Sequence, residues 1–240
     1  MNDMLYTISI WVIPLVIAIT FHEAAHGWVA DRLGDDTARR MGRVTLNPIR
    51  HIDNFGTLIL PGLLLIFSPF VFGYAKPVPV NFARLNNPKR DMVWVALAGP
   101  GMNILLALAS AGLLHLVFLL PAPLVEWSAL TLAAAILINV ILAVFNILPV
   151  PPLDGGRVAV GLLPGRLAVL VARLERFGIF LVIGVLIVVP WIGNSLGFDL
   201  RIFFWLVWVP STFVIEGISF IAGIDQDVVF RLIQLLPGLG

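Results

Sequence analysis

The 240-residue chain contains no cysteine. A disulfide framework is therefore excluded, and any metal it holds must be bound by His, Asp or Glu. Charge is scarce as well. Asp, Glu, Lys and Arg make up 12% of the residues, about half the share of an average soluble domain. The formal net charge is +1 and no basic stripe or nucleic-acid module stands out, which sets nucleic-acid partners aside. The start, Met1-Asn2-Asp3-Met4, lacks a basic n-region and a small-residue cleavage site. The first apolar segment is therefore expected to be retained rather than removed as a signal peptide. Internal repeats and low-complexity linkers are missing too.

What the chain has instead is apolar length. Hydrophobic residues account for 60% of it, and the mean hydropathy is +1.01. Uninterrupted apolar runs cover 5–30, 57–72, 92–120, 127–148, 177–192 and 202–222. They predict an all-α polytopic membrane protein with about five to six transmembrane helices. The connections are short, so 1–240 reads as one integral-membrane domain, with a core over about 5–165 and C-terminal helices over about 166–240.

Against that background stands His22-Glu23-Ala24-Ala25-His26. Positions four apart share a helix face, so the two imidazoles can hold one metal ion, with Glu23 close enough to act on a water there. The bland reading is a polar patch packed between helices. Each ionisable group at mid-membrane costs roughly 2.5–3.5 kcal/mol, so three in five residues call for a compensating role. Two histidines leave a zinc site short of its usual three protein ligands. His51 and His115 are the other imidazoles, one in the first loop and one toward the far end of its helix, and both read as structural. A carboxylate is the better third ligand, and Asp154 is the leading candidate. It follows Asn146-Ile147-Leu148-Pro149-Val150-Pro151-Pro152-Leu153 and precedes Gly155-Gly156, a sequence able to end a helix and turn sharply. Taken alone, that segment reads better as a surface turn capped by Asp.

If both motifs serve one site, the topology is constrained. With the first helix delivering His22 and His26 near one face, a full crossing by 57–72 would send Asp154 to the other. A re-entrant 57–72 brings them together, and Pro61-Gly62 and Ser68-Pro69 interrupt that short run accordingly. On this assignment every Lys and Arg of the 15 except Arg201 falls on the site's face. That face is then cytoplasmic and the N-terminus outside. Residues 42–47 and 76–81 read as short extended β segments beside the site, edges on which an extended peptide can pair.

The His-Glu-x-x-His motif, the Asn146 to Gly156 pattern and Gly99-Pro100-Gly101-Met102-Asn103 together resemble the site-2 protease family, intramembrane zinc metalloproteases of peptidase family M50. The resemblance spans roughly residues 5–165. It implies that His22, His26 and Asp154 bind one Zn2+ per chain and that Glu23 is the general base. It further implies that Asn146 positions substrate or stabilises the oxyanion, with Asn103 in a similar or structural role. The implied activity is hydrolysis of transmembrane proteins or membrane peptides within the bilayer near the cytoplasmic face. The implied location is the plasma membrane of a prokaryote. Many relatives carry an inserted PDZ or a terminal CBS domain. Neither is visible here, so substrate selection is expected to rest on the membrane core, a partner or prior trimming. Glu216 is a further intramembrane acid that reads best as a packing residue. The competing reading is a membrane metal-binding protein or zinc transporter without proteolysis. It gains nothing obvious from Glu23 and lacks repeat-related halves.

Overall fold

The computed structural model describes residues 2–53, 59 and 76–238. Among these the chain is helical and pairs no strands. The helices are α1 (Asn2–Arg32), α2 (Thr37–Arg40), α3 (Pro88–Leu114), α4 (Ala122–Asn146), α5 (Asp154–Leu162), α6 (Gly165–Leu174), α7 (Gly178–Ile183), α8 (Val189–Ser195), α9 (Val209–Ala222) and α10 (Gln226–Gln234). Four helical segments among the described residues are long and apolar enough to cross a membrane: Met4–Arg32, Pro88–Leu114, Ala122–Asn146 and Phe204–Ala222. They match four of the six apolar runs. The expected re-entrant run 57–72 lies outside the described residues apart from Ile59.

In α1 the buried positions recur every four residues, through Ile10, Pro14, Ala18, His22, His26 and Ala30, while Val12, Ile13 and Val16 remain exposed. Over residues 10–18 both faces are apolar, so side-chain size and shape, not polarity, decide which side packs there. The partner is α3, the central helix, which touches α1, α4, α5 and α9. Its buried face is built from small residues, Ala96, Gly99, Ala107 and Ala111. On α4 the buried set includes Ala133, Ala134 and Ala143. Small side chains let helix backbones approach closely, which is how helices associate where lipid removes the hydrophobic drive.

The last spanning helix runs opposite to the direction the re-entrant assignment gave it. His115 caps the end of α3 beyond the site, and its Nε2 lies 2.8 Å from the carbonyl oxygen of Ala222. Trp208, Ser211 and Ile215 line a small cavity with Leu137 midway along α4. Phe204–Ala222 therefore ends at the His115 end of the bundle instead of starting there. The preceding helical stretch runs unbroken over 178–195, and the chain turns tightly after it: a Cβ on Gly193 would sit 2.7 Å from the Leu200 side chain. Arg201 and Arg231 exchange ends relative to the sequence-based assignment.

The two segments expected to be extended come together without forming a ladder. A Cβ on Gly27 would meet Val44 Cγ2 and Val78 Cγ1, each at 3.0 Å. Side chains and the neighbouring loop hold the main chain of 76–81 instead. Arg43 Nη2 donates to the Lys76 carbonyl at 2.7 Å, Lys76 N–H donates to the His51 carbonyl at 2.9 Å, and Asn81 N–H donates to Asp35 Oδ2 at 2.6 Å.

Candidate metal centre

The buried stripe of α1 carries His22 and His26 into the bundle one turn apart, with their Nε2 atoms 3.1 Å from each other. The third group arrives from α5. The chain leaves α4 through Pro149, Pro151 and Pro152 and tightens through Val150 N–H to Leu148 O at 2.7 Å and Leu153 N–H to Val150 O at 3.0 Å. It then starts α5 at Asp154, where a carboxylate suits the positive end of the helix. Close approach fixes the next two residues as glycine: a Cβ on Gly155 would lie 2.0 Å from the Ile147 oxygen, and one on Gly156 2.5 Å from Pro151 N. Asp154 Oδ2 comes to 3.2 Å from His22 Nε2 and 3.3 Å from His26 Nε2. All three residues are buried. Gly99 of α3 forms the wall, since a Cβ there would fall 2.4 Å from His26 Nε2 and 2.5 Å from His22 Nε2.

The far nitrogens decide what this cluster can bind. His26 Nδ1 lies 2.7 Å from the Val95 carbonyl, which only accepts, so Nδ1 carries the proton. His22 Nδ1 lies 2.5 Å from Asn103 Oδ1. Asn103 Nδ2 already donates to Ala18 O at 3.3 Å and Asn139 Oδ1 at 2.8 Å, so Oδ1 is the acceptor and His22 Nδ1 the donor. Both Nε2 atoms consequently present lone pairs. Asp154 Oδ2 faces them, buried and without a hydrogen-bond donor. Three acceptors converging in a buried pocket repel one another unless a cation sits among them. Two imidazole nitrogens and one carboxylate oxygen form the donor set of a catalytic zinc site that keeps a fourth position open. The residues fit the metal. It is the one such group among the described residues.

Other residues singled out by the sequence divide around this cluster. Glu23 is half-buried, and its Oε2 accepts the Val78 N–H at 2.7 Å. Asn103 is fully buried behind His22. Asn146 bonds within its own helix, donating from Nδ2 to Leu142 O at 3.0 Å. His51 is buried against Thr45 O at 2.9 Å, and His115 is committed to Ala222; neither joins the cluster. Glu216 lies half-buried in α9. Sequence reasoning passed over Asn139, which is buried behind Asn103. The available signal was an amide in the middle of the most apolar spanning run, where a polar group needs a reason.

The sequence profile described as "Peptidase family M50" matches residues 10–126 and 111–189. A Bacillus subtilis (strain 168) protein named "Putative zinc metalloprotease YwhC" is 39% identical over 183 residues, covering 75% of this chain and 80% of the relative. "Putative zinc metalloprotease Rip2" of Mycolicibacterium smegmatis is 31% identical over 177 residues, covering 73% of this chain and 65% of the relative. No solved structure matches.

Proposed function

Since the chain belongs to peptidase family M50, we propose that it cleaves peptide bonds in or near membrane-spanning segments of other proteins, close to the cytoplasmic face. It is a zinc metalloendopeptidase of the site-2 protease type with helices fit to span a membrane. In this reading His22, His26 and Asp154 hold one zinc ion and Glu23 is the general base. The convergence of three buried acceptors carries the ligand assignment.

Bound zinc supplies a Lewis acid that brings the pKa of a water toward about 7 and polarises the scissile carbonyl. Glu23, as general base, would take a proton from the attacking water and return it to the leaving amine. The Val78 N–H occupies Oε2, which leaves Oε1 as the oxygen that receives the proton. Asn103 holds the His22 ring, and Asn146, at the end of α4 where the chain turns toward Asp154, stands by the substrate path. A substrate helix must unwind locally because its own hydrogen bonds shield the scissile carbonyl. The main chain around 44–46 and 78–80 then offers edges for the unwound strand. The Lys and Arg residues gather at the site's end of the bundle, which supports a cytoplasmic site and an outside N-terminus in the plasma membrane of a prokaryote.

Glu23→Gln tests the reading. The amide oxygen of Gln still accepts from Val78, no proposed ligand changes, and the base is lost. The variant should keep stoichiometric zinc while cleavage falls by about 10²–10⁴-fold. Comparing membrane proteomes of cells carrying wild type and variant, single-pass fragments should accumulate uncut with the variant. Cleavage undiminished in the zinc-loaded variant would sink the assignment of Glu23, and an absence of any accumulating fragment would sink the intramembrane substrate class.

A further inference from the structure

We propose that Asn139 is a positioning residue for the metal centre, acting through Asn103 to keep His22 Nε2 open to the ion; this rests on the reading of His22 as a zinc ligand. Asn139 lies on α4, buried, and its side-chain hydrogen bonds go to Asn103 and Ala135, not to the three acceptors. Its Nδ2 donates to Ala135 O one turn back at 2.9 Å. That bond turns Oδ1 outward from α4, where it accepts from Asn103 Nδ2 at 2.8 Å. Asn103 then has its amide nitrogen committed and its oxygen facing His22 Nδ1 at 2.5 Å. The chain of hydrogen bonds runs one way, from His22 through α3 to a carbonyl of α4, and each donor fixes the sense of the next.

The consequence is a chosen tautomer. With Oδ1 of Asn139 gone, Asn103 loses the shorter of its two Nδ2 bonds and keeps only the 3.3 Å contact to Ala18. Its amide is then free to turn over and offer N–H to His22 Nδ1. His22 answers by moving its proton to Nε2, and that nitrogen no longer has a lone pair for the metal. An Asn that merely glued α3 to α4 would affect stability without touching the tautomer.

The test uses the full chain purified in detergent micelles, with zinc affinity measured by competition against a chromophoric chelator. Asn139→Leu and Asn139→Ala both remove the acceptor, so one remains informative if the other does not fold. Asn139→Asp keeps a carbonyl oxygen toward Asn103 in either protonation state. The acceptor-free variants should bind zinc about ten- to a hundredfold more weakly, and the Asp variant within about threefold of wild type. In ¹⁵N-histidine spectra the Nδ1 proton of His22 should persist in wild type and Asn139→Asp and move to Nε2 in the other two. Wild-type affinity and tautomer in the acceptor-free variants would overturn the proposal, as would an Asp variant as weak as Leu. His22→Ala is the control that separates the two readings. If it weakens zinc binding while Asn139→Leu does not, the positioning role fails and the ligand stands; if it leaves zinc binding unchanged, the ligand assignment itself fails.

Discussion

A histidine offers a metal one nitrogen and must dispose of the other, and the two histidines here do so differently. His26 gives its Nδ1 proton to a backbone carbonyl, Val95 O, which no single substitution removes. His22 relies on side chains, Asn103 and beyond it Asn139. The two histidines of the cluster stood out in the sequence because ionisable groups are so rare in the apolar runs, whereas Asp154 taken alone read as a turn residue. The room around them was not legible, because Gly99 is one glycine among 21 and only the packed structure puts both imidazoles against it. Gly99→Ala therefore makes a sharp prediction. The added methyl would lie 2.4–2.6 Å from His26 Nε2 and from Nε2 and Cε1 of His22, well inside contact distance. Helix content should stay at wild-type level, because Ala favours a helix more than Gly does. Zinc affinity should fall by about tenfold or more as the ligands are pushed from their geometry. Chelator competition and circular dichroism on one preparation check both halves.

The segments between helices obey different rules from the helices. Spanning runs announce themselves by length and hydropathy, and their ends were placed to within a few residues except where Pro88 and Ala122 begin helices earlier than the apolar runs do and where α3 ends at Leu114, well short of the end of the run 92–120. The connection at 42–47 looked extended because it partly alternates, and the prolines of 76–81 allowed it at most an edge position. Pro77 and Pro79 have no N–H to give, so 76–81 has too few donors for a ladder. It is fastened by groups distant in sequence: Glu23, Asp35, Arg43 and His51. Such fastening has no local periodicity to read. Its functional weight rests on Val78, the one residue between those prolines, whose N–H holds Glu23. Val78→Pro removes that donor, and Val78→Ala keeps it while trimming the contact with Gly27. A hydrogen bond to a charged group contributes about 1.5–3 kcal/mol, so kcat/KM should drop roughly ten- to a hundredfold in the Pro variant with zinc content unchanged. The Ala variant should lie within a few-fold of wild type in the same peptide-cleavage assay. Equal losses in the two would assign the effect to packing.

At the scale of the whole molecule, the direction of the last spanning helix was illegible for a physical reason. Hydropathy is the same read from either end of a helix, and exchanging Arg201 with Arg231 leaves the Lys and Arg asymmetry unchanged. The contact of His115 with Ala222 and the contact of Trp11 Nε1 with Pro237 O at 2.9 Å break the symmetry. They put the turn after α9 at the end of the bundle away from the metal centre. The two directions make opposite statements about Asp227, an exposed residue in the first turn of α10. If Phe204–Ala222 ended on the site's side, Asp227 would share that side with Arg39. In the structure's arrangement it lies at the opposite end of the bundle from Arg39, and under the proposed orientation that end is outside. The cysteine-free sequence makes the measurement direct, because a single introduced thiol is the only one present. Asp227→Cys should react with a membrane-impermeant maleimide added to intact cells. Arg39→Cys, whose side chain is 66% exposed, should react only after the membrane is opened. Labelling of both positions from the same side would reverse the last helix, while protection of Asp227→Cys together with labelling of Arg39→Cys in intact cells would invert the whole protein and move the site to the outer face.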